Sequence, residues 1–177
     1  MKKLIAISLT LILSVNLFSQ SKKAQKLYDK AYKAAQDGYA IKASVDLTKA
    51  ISIDKEYAAA YELRALCFLA MNQAEAARKD FEEAAKLDPK MMRSLANLID
   101  IYKKANNWKE VAVYAEMIAK HHPDNVCRAT FDWAEALQKL DKQEEAVEKY
   151  KSFLSLNCRE MKKETVKAEQ VVRFSRE

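Results

Sequence analysis

The sequence predicts an all-α protein built from stacked helix pairs, and three observations carry that expectation. The 177 residues include one glycine and two prolines. So few turn formers leave β-hairpins without the positive-φ residues they need, and leave phosphate-cradling loops without the glycines that let a backbone approach an anion. Half of the residues are apolar and 32% are charged, a balance that can bury a core and is too apolar for a disordered chain. The prolines of Asp88-Pro89 and His122-Pro123 stand 34 residues apart. A fixed step of that size marks a repeat array.

The N-terminus reads as an address rather than as fold. Lys2 and Lys3 precede an apolar run from Leu4 to Phe18, broken by Ser8, Thr10, Ser14 and Asn16, and Ser19 and Ser21 follow. That is the layout of a secretory signal peptide, and the run is shorter than the roughly 20 residues of a spanning helix. Residues 1–19 are therefore expected to be a signal peptide, with a mature chain from about Gln20 that is periplasmic or secreted. An uncleaved membrane anchor is the alternative, because Leu17 suits a cleavage site poorly. No cysteine lies near the cut, which disfavours lipid anchoring. The formal charge of +6 falls to +4 when Lys2 and Lys3 leave. Acids and bases then alternate along solvated helix faces, and no basic stripe for nucleic acid emerges.

Residues 20–158 repeat with the 34-residue step. Counting Ala58 as a first position, Ala65, Phe68, Ala77, Phe81 and Ala84 fall at the eighth, eleventh, twentieth, twenty-fourth and twenty-seventh. One period earlier stand Ala31, Ala34, Ala43, Leu47 and Ala50; one period later stand Ile99, Tyr102, Val111, Ala115 and Ile118. After a one-residue slip come Ala134, Leu137, Ala146, Tyr150 and Phe153. Helices approach closely only where one presents a small residue, and the large residues fill the groove between them. The pattern places first helices near 22–36, 57–71, 91–105 and 125–139, and second helices near 40–53, 74–87, 108–120 and 143–156. Asn72 with Glu75, Asn107 with Glu110 and Asp141 with Glu144 fit reciprocal helix starts. Gly38 takes the equivalent turn of the first pair, where a left-handed backbone suits glycine. Residues 159–177, with Met161, Ala168, Val171, Val172 and Phe174 on one face, are expected to form a helix capping the array.

This pattern resembles the tetratricopeptide repeat (TPR) family, whose units alternate small and large apolar residues at these positions and often close on Asp-Pro. The stretch "YELRALCFLAMNQAEAARKDFEEAAKLDP" carries nearly every signature position. Repeats would run about 24–57, 58–91, 92–125 and 127–158. The first departs by carrying Lys55 where the proline is usual, and the third by carrying Ile99 in place of a small residue. The resemblance implies a right-handed α-solenoid. It also implies a concave groove lined by first helices, which here supply Tyr28, Tyr32, Glu62, Leu66, Arg93, Asn97, Asp100, Arg128, Phe131, Asp132 and Glu135. Rigid aromatics, apolar steps and charges of both signs suit a protein or peptide partner. One subclass of the family clamps a C-terminal carboxylate, but the matching positions hold Tyr28, Tyr32, Leu63, Arg93 and Asn97. Only Arg93 offers the charge, so that role is not carried over.

No enzyme chemistry is expected. His121 and His122 are adjacent and cannot converge on a metal as ligands spaced by a helical turn would, and no base is placed beside a nucleophile. No metal, cofactor or small-molecule substrate is therefore implied. Cys67 reads as a buried thiol. Cys127 and Cys158 flank an antiparallel helix pair, within plausible bridging range, so a disulfide and two separate thiols both remain open. The function expected is that of an exported scaffold that binds a protein segment and helps assemble a cell-envelope complex. The alternatives are a self-associating solenoid or the N-terminal fragment of a larger protein. A narrower resemblance supports the last. Signal peptide, repeats and the closing "KAEQVVRFSRE" look like the N-terminal region of Gram-negative envelope proteins that continue into a β-propeller and an outer-membrane-protein-A-like peptidoglycan-binding domain. Outer-membrane association would follow from that likeness.

Overall fold

The computed structural model describes residues 22–175, and every regular element among them is helical. The signal peptide expected at residues 1–19 lies outside the described residues. Helix α1 covers residues 22–36. It is followed by α2 (Ala40–Ile53), α3 (Ala58–Ala70), α4 (Ala74–Leu87), α5 (Met92–Lys104), α6 (Trp108–His121), a 3-10 turn (Pro123–Asn125), α7 (Val126–Lys139), α8 (Gln143–Ser155) and α9 (Lys162–Phe174). The expected helix pairs and the closing helix are all present. The small positions work as the repeat pattern requires: Ala31, Ala43, Ala50, Ala65, Ala77, Ala84, Ala115, Ala134 and Ala146 are inaccessible to solvent.

The turns inside the pairs differ from expectation. Gly38 (φ 83°) does adopt the left-handed backbone, but so do Asn72 (58°), Asn106 (54°) and Asp141 (60°), spaced 34, 34 and 35 residues. In each turn the next amide reaches back five residues along the chain. Tyr39 N donates to Ala34 O at 2.8 Å, Gln73 N to Phe68 O at 2.8 Å, Asn107 N to Tyr102 O at 2.9 Å and Lys142 N to Leu137 O at 3.0 Å. These are C-terminal closures of first helices. The reciprocal caps expected at Asn107 and Asp141 do not form: α6 starts after Asn107 without a side-chain cap, and Lys142, not Asp141, precedes α8. Asn and Asp tolerate positive φ better than other side-chain-bearing residues, so the short polar residue ends one helix rather than beginning the next. Between repeats, Asp54 accepts from Glu56 N at 3.0 Å as Asp88 accepts from Lys90 N at 2.9 Å. The first linker therefore keeps the turn without its proline.

The chain divides into two compact units, one running to Leu87 and the other from Asp88. In the first, α1 to α3 bury Ala31, Ala43, Leu47, Ala50, Ala60 and Cys67 in one core. In the second, α7, α8 and α9 close around Phe131, Ala134, Tyr150, Phe153, Ala168 and Val172. One pair of equivalent positions joins first helix to second in a different chemistry each time. Lys30 pairs with Asp46 at 2.9 Å. Arg64, 34 residues on, meets Asp80 through Nε at 2.7 Å and Nη2 at 2.8 Å. The third pair has Leu98 and Tyr114 there, with Tyr114 stacked on Tyr102 at 5.8 Å between centroids. In the fourth, Lys149 sits 3.5 Å from the centre of the Trp133 ring. A forked Arg–carboxylate pair and a cation over an indole are both strong, oriented contacts, so the helix crossing is held whichever set is present.

Cys127, at the start of α7, is bonded to Cys158, just past α8, with Cα atoms 6.0 Å apart. Cys67 is a buried free thiol whose pKa is raised by burial. The bond closes a loop with a sequence separation of 31, for which the chain-entropy account gives about 3 to 4 kcal/mol. Urea unfolding with and without reductant, alongside Cys127→Ser, checks this. Both reduced and substituted proteins are expected to lose that stability, and a midpoint indifferent to reductant would refute it.

Candidate interaction face

The first helices of the two units carry the residues expected to meet a partner, and the structure sorts them into three groups. In the first unit the exposed group is aromatic. Tyr28 stacks on Tyr32 with centroids 6.2 Å apart and leans on Tyr57 at 5.2 Å. Tyr32 is 45% exposed. The row is oriented from below: Tyr57 Oη donates to Gln25 Oε1 at 2.8 Å, and Gln25 Nε2 donates to Asp29 Oδ1 at 2.8 Å. Burial, with Tyr28 and Asp29 adding to it, pushes the Tyr57 hydroxyl up to about 12. It therefore stays a donor throughout the physiological range. Tyr57 escapes the sequence argument because positions of the repeat are counted from Ala58, one residue after it, so it holds none of the groove positions, and in the structure it stands just ahead of α3. Glu62 is half-buried, and Leu66 is half-buried against the core of its unit.

In the second unit the exposed group is polar. Arg93, Asp100 and Arg128 are exposed, and Asn97 is half-buried with its amide donated to Arg93 O at 2.8 Å. Between α5 and α7 lies a cleft of about 270 Å³ lined by Met92, Ala96, Ile99, Asp100, Arg128 and Asp132, among others. Ile99, standing where the family has a small residue, is itself 4% exposed.

The third group is not available to a partner. Phe131 is 5% exposed and packs edge-on against Tyr150 at 5.8 Å and Phe153 at 5.3 Å. It is a core residue. Asp132 is 4% exposed and accepts from Lys103 Nζ at 2.7 Å and Arg128 Nε at 3.1 Å. Glu135 accepts from Lys103 Nζ at 3.0 Å and Lys167 Nζ at 2.6 Å, and Arg128 reaches Glu164 at 3.6 Å. The ladder ties α5, α7 and α9 together. Burial works against the charge on Glu135, yet the bonds from Lys167 and Lys103 outweigh it and hold the carboxyl below its usual range. Burial likewise opposes the charge on Lys103, and Asp132 and Glu135 overcome it, raising the ammonium pKa. These carboxylates serve the packing of first helices on one another.

Among the described residues no group of three or more His, Cys, Asp or Glu could hold a metal ion, and no helix is long and apolar enough to cross a membrane. Successive helix pairs, left-handed closures on a 34-residue step and buried alanines at the crossings of the first, second and fourth pairs define a helical-repeat protein. The fold is the all-α TPR solenoid. YrrB, described as a TPR protein with an unusual peptide-binding site, is similar at a TM-score of 0.68 and 15% identity over 85% of this chain and 76% of its own. The first TPR of Spaghetti (RPAP3), bound to the HSP90 peptide SRMEEVD, is similar at 0.58 and 21% identity over 68% of this chain and 95% of its own. PilF of Pseudomonas aeruginosa is similar at 0.60 and 19% identity over 89% and 71%. No family model matches the chain, and no curated protein matches it.

Proposed function

We propose that the chain is an exported, non-enzymatic scaffold that holds a peptide or protein segment on its first-helix faces and helps assemble a cell-envelope complex. The observation that carries the binding role is the tyrosine row of the first unit. Tyr28 and Tyr32 present stacked rings whose support, Tyr57 and Gln25, is already bonded in place, so little ordering cost remains when a partner arrives. Two structures of the same fold, one bound to a peptide and one described as having a peptide-binding site, support the choice of ligand class. Export rests on the layout of residues 1–19 alone.

A photo-crosslinking amino acid at position 32, compared with one at Glu116 on α6, tests the reading in envelope extracts. Position 32 is expected to give discrete adducts that position 116 does not, and Tyr32→Ala is expected to lower the affinity for the recovered segment roughly tenfold, as loss of an aromatic anchor does. Adducts equally abundant at both positions, or an unchanged affinity, would refute it.

A further inference from the structure

The first helix pair carries a face that the tyrosine row does not use, and its charge departs from the alternation expected along the chain. Residues 22–53 hold seven lysines against three aspartates. At helical spacing Lys22, Lys26, Lys30 and Lys33 share one stripe of α1, and all four are exposed, as is Lys23 beside them. The stripe continues onto α2. Lys30 and Lys49 both reach Asp46, at 2.9 Å and 3.9 Å, so one buried carboxylate joins the basic sides of the two helices. On α2, Lys42 lies two turns before Lys49, and Ile41 and Val45 run alongside them, one turn apart. Ile41 is 71% exposed, Val45 49%, and Tyr39, just ahead of the helix, 62%. Of the three acids, Asp46 is taken up by the seam and Asp29 is turned to the tyrosine row by its bond from Gln25. Asp37 stands at the edge, in the turn.

We infer that this face lies on an anionic lipid surface, with its lysines against the headgroups and Tyr39, Ile41 and Val45 at the edge of the acyl layer. Both halves of the composition select that occupant. A basic face alone would fit any polyanion. Exposed aliphatic side chains beside it offer nothing to a phosphate or a carboxylate, whereas a bilayer boundary takes up apolar groups and cations together. Tyrosine suits the headgroup level. The order of the chain agrees: the apolar run ends at Phe18, four residues before Lys22, so while it is attached no more than about 14 Å of extended backbone parts it from α1. No helix among the described residues is long and apolar enough to cross a membrane, so the contact is one of the surface. Tyr28 and Tyr32 occupy another side of α1, and the tyrosine row stays open when the lysines are engaged.

An environment-sensitive fluorescent residue at position 41 of the full chain tests this, with one at position 116 on α6 as control and circular dichroism to confirm folding. On vesicles of equal parts phosphatidylglycerol and phosphatidylcholine, position 41 is expected to shift to the blue and position 116 to stay unchanged. On phosphatidylcholine alone neither is expected to shift. Lys26→Gln, Lys33→Gln and Lys42→Gln are each expected to raise the lipid needed for half the shift about fivefold, and added salt to raise it further. Val45→Asp is expected to raise it roughly tenfold with every lysine in place. A chain held on vesicles by its apolar run with position 41 still in water would overturn the inference. So would equal shifts on both kinds of vesicle, an unchanged response in the combined lysine variant, or an equal shift with soluble polyglutamate, the result an acidic protein partner predicts. The lysine variants leave Tyr32 in place, so crosslinking from position 32 succeeds or fails separately.

Discussion

Phe131→Ala is expected to lower the free energy of unfolding by about 3 to 5 kcal/mol, the range for deleting a buried phenylalanine. The ring touches Tyr150 and Phe153, and the same cluster receives Ala168 and Val172 of α9. The void would thus open where three helices meet. The consequence for binding studies is direct. Position 131 belongs by repeat register to the groove, and an alanine there would reduce partner capture by loosening α7, α8 and α9, not by removing a contact. Thermal unfolding of the variant separates the two causes: a folded protein with wild-type stability and lost binding would contradict the assignment of Phe131 to the core. Tyr32→Ala, at an exposed ring, is the appropriate probe of the groove.

Asp132→Ala is expected to cost about 3 to 5 kcal/mol, because removing one partner from a buried ion pair strands the other. Lys103, whose side chain is 19% exposed, would keep only Glu135, and Arg128 only the longer contact to Glu164. Replacing the pair together, as Asp132→Leu with Lys103→Met, is expected to recover most of the loss, since apolar groups of similar volume often substitute for a buried pair without penalty. Urea denaturation of the single and double variants forms the cycle that measures it. If Asp132→Ala alone were neutral, the ladder between α5, α7 and α9 would not be a stabilising contact.

The fold was legible because it depends on what small residues permit. Alanines recur at the step of Ala65 and Ala77 in the first, second and fourth pairs, where two helices must approach, and a sequence states the size of a side chain directly. The turns were only half legible. An Asn or Asp followed three residues later by Glu satisfies the pattern for a helix start, yet the same short polar residue also tolerates positive φ, and at Asn72, Asn106 and Asp141 the backbone uses it for closure. The groove was the least legible part. Positions on one helical face describe which way a residue points but not what arrives from elsewhere. Lys103 reaches residues 29 and 32 positions away, and Lys167 comes from the closing helix. Asp132 and Glu135 were therefore claimed by neighbours that no local spacing announces. Tyr57 was missed for the converse reason, since it enters the aromatic row from a linker.

The bond between Cys127 and Cys158 also decides how the C-terminal end would respond to being pulled. Traction applied beyond α9 would peel that helix first, because it is held by side-chain contacts and ion pairs alone. On reaching Cys158 the load would pass through the sulfur bridge straight to Cys127. The α7–α8 hairpin would be bypassed and left coiled until the bridge was reduced. Under load, that route makes the last helix a sacrificial strap and the hairpin behind it a covalent stop.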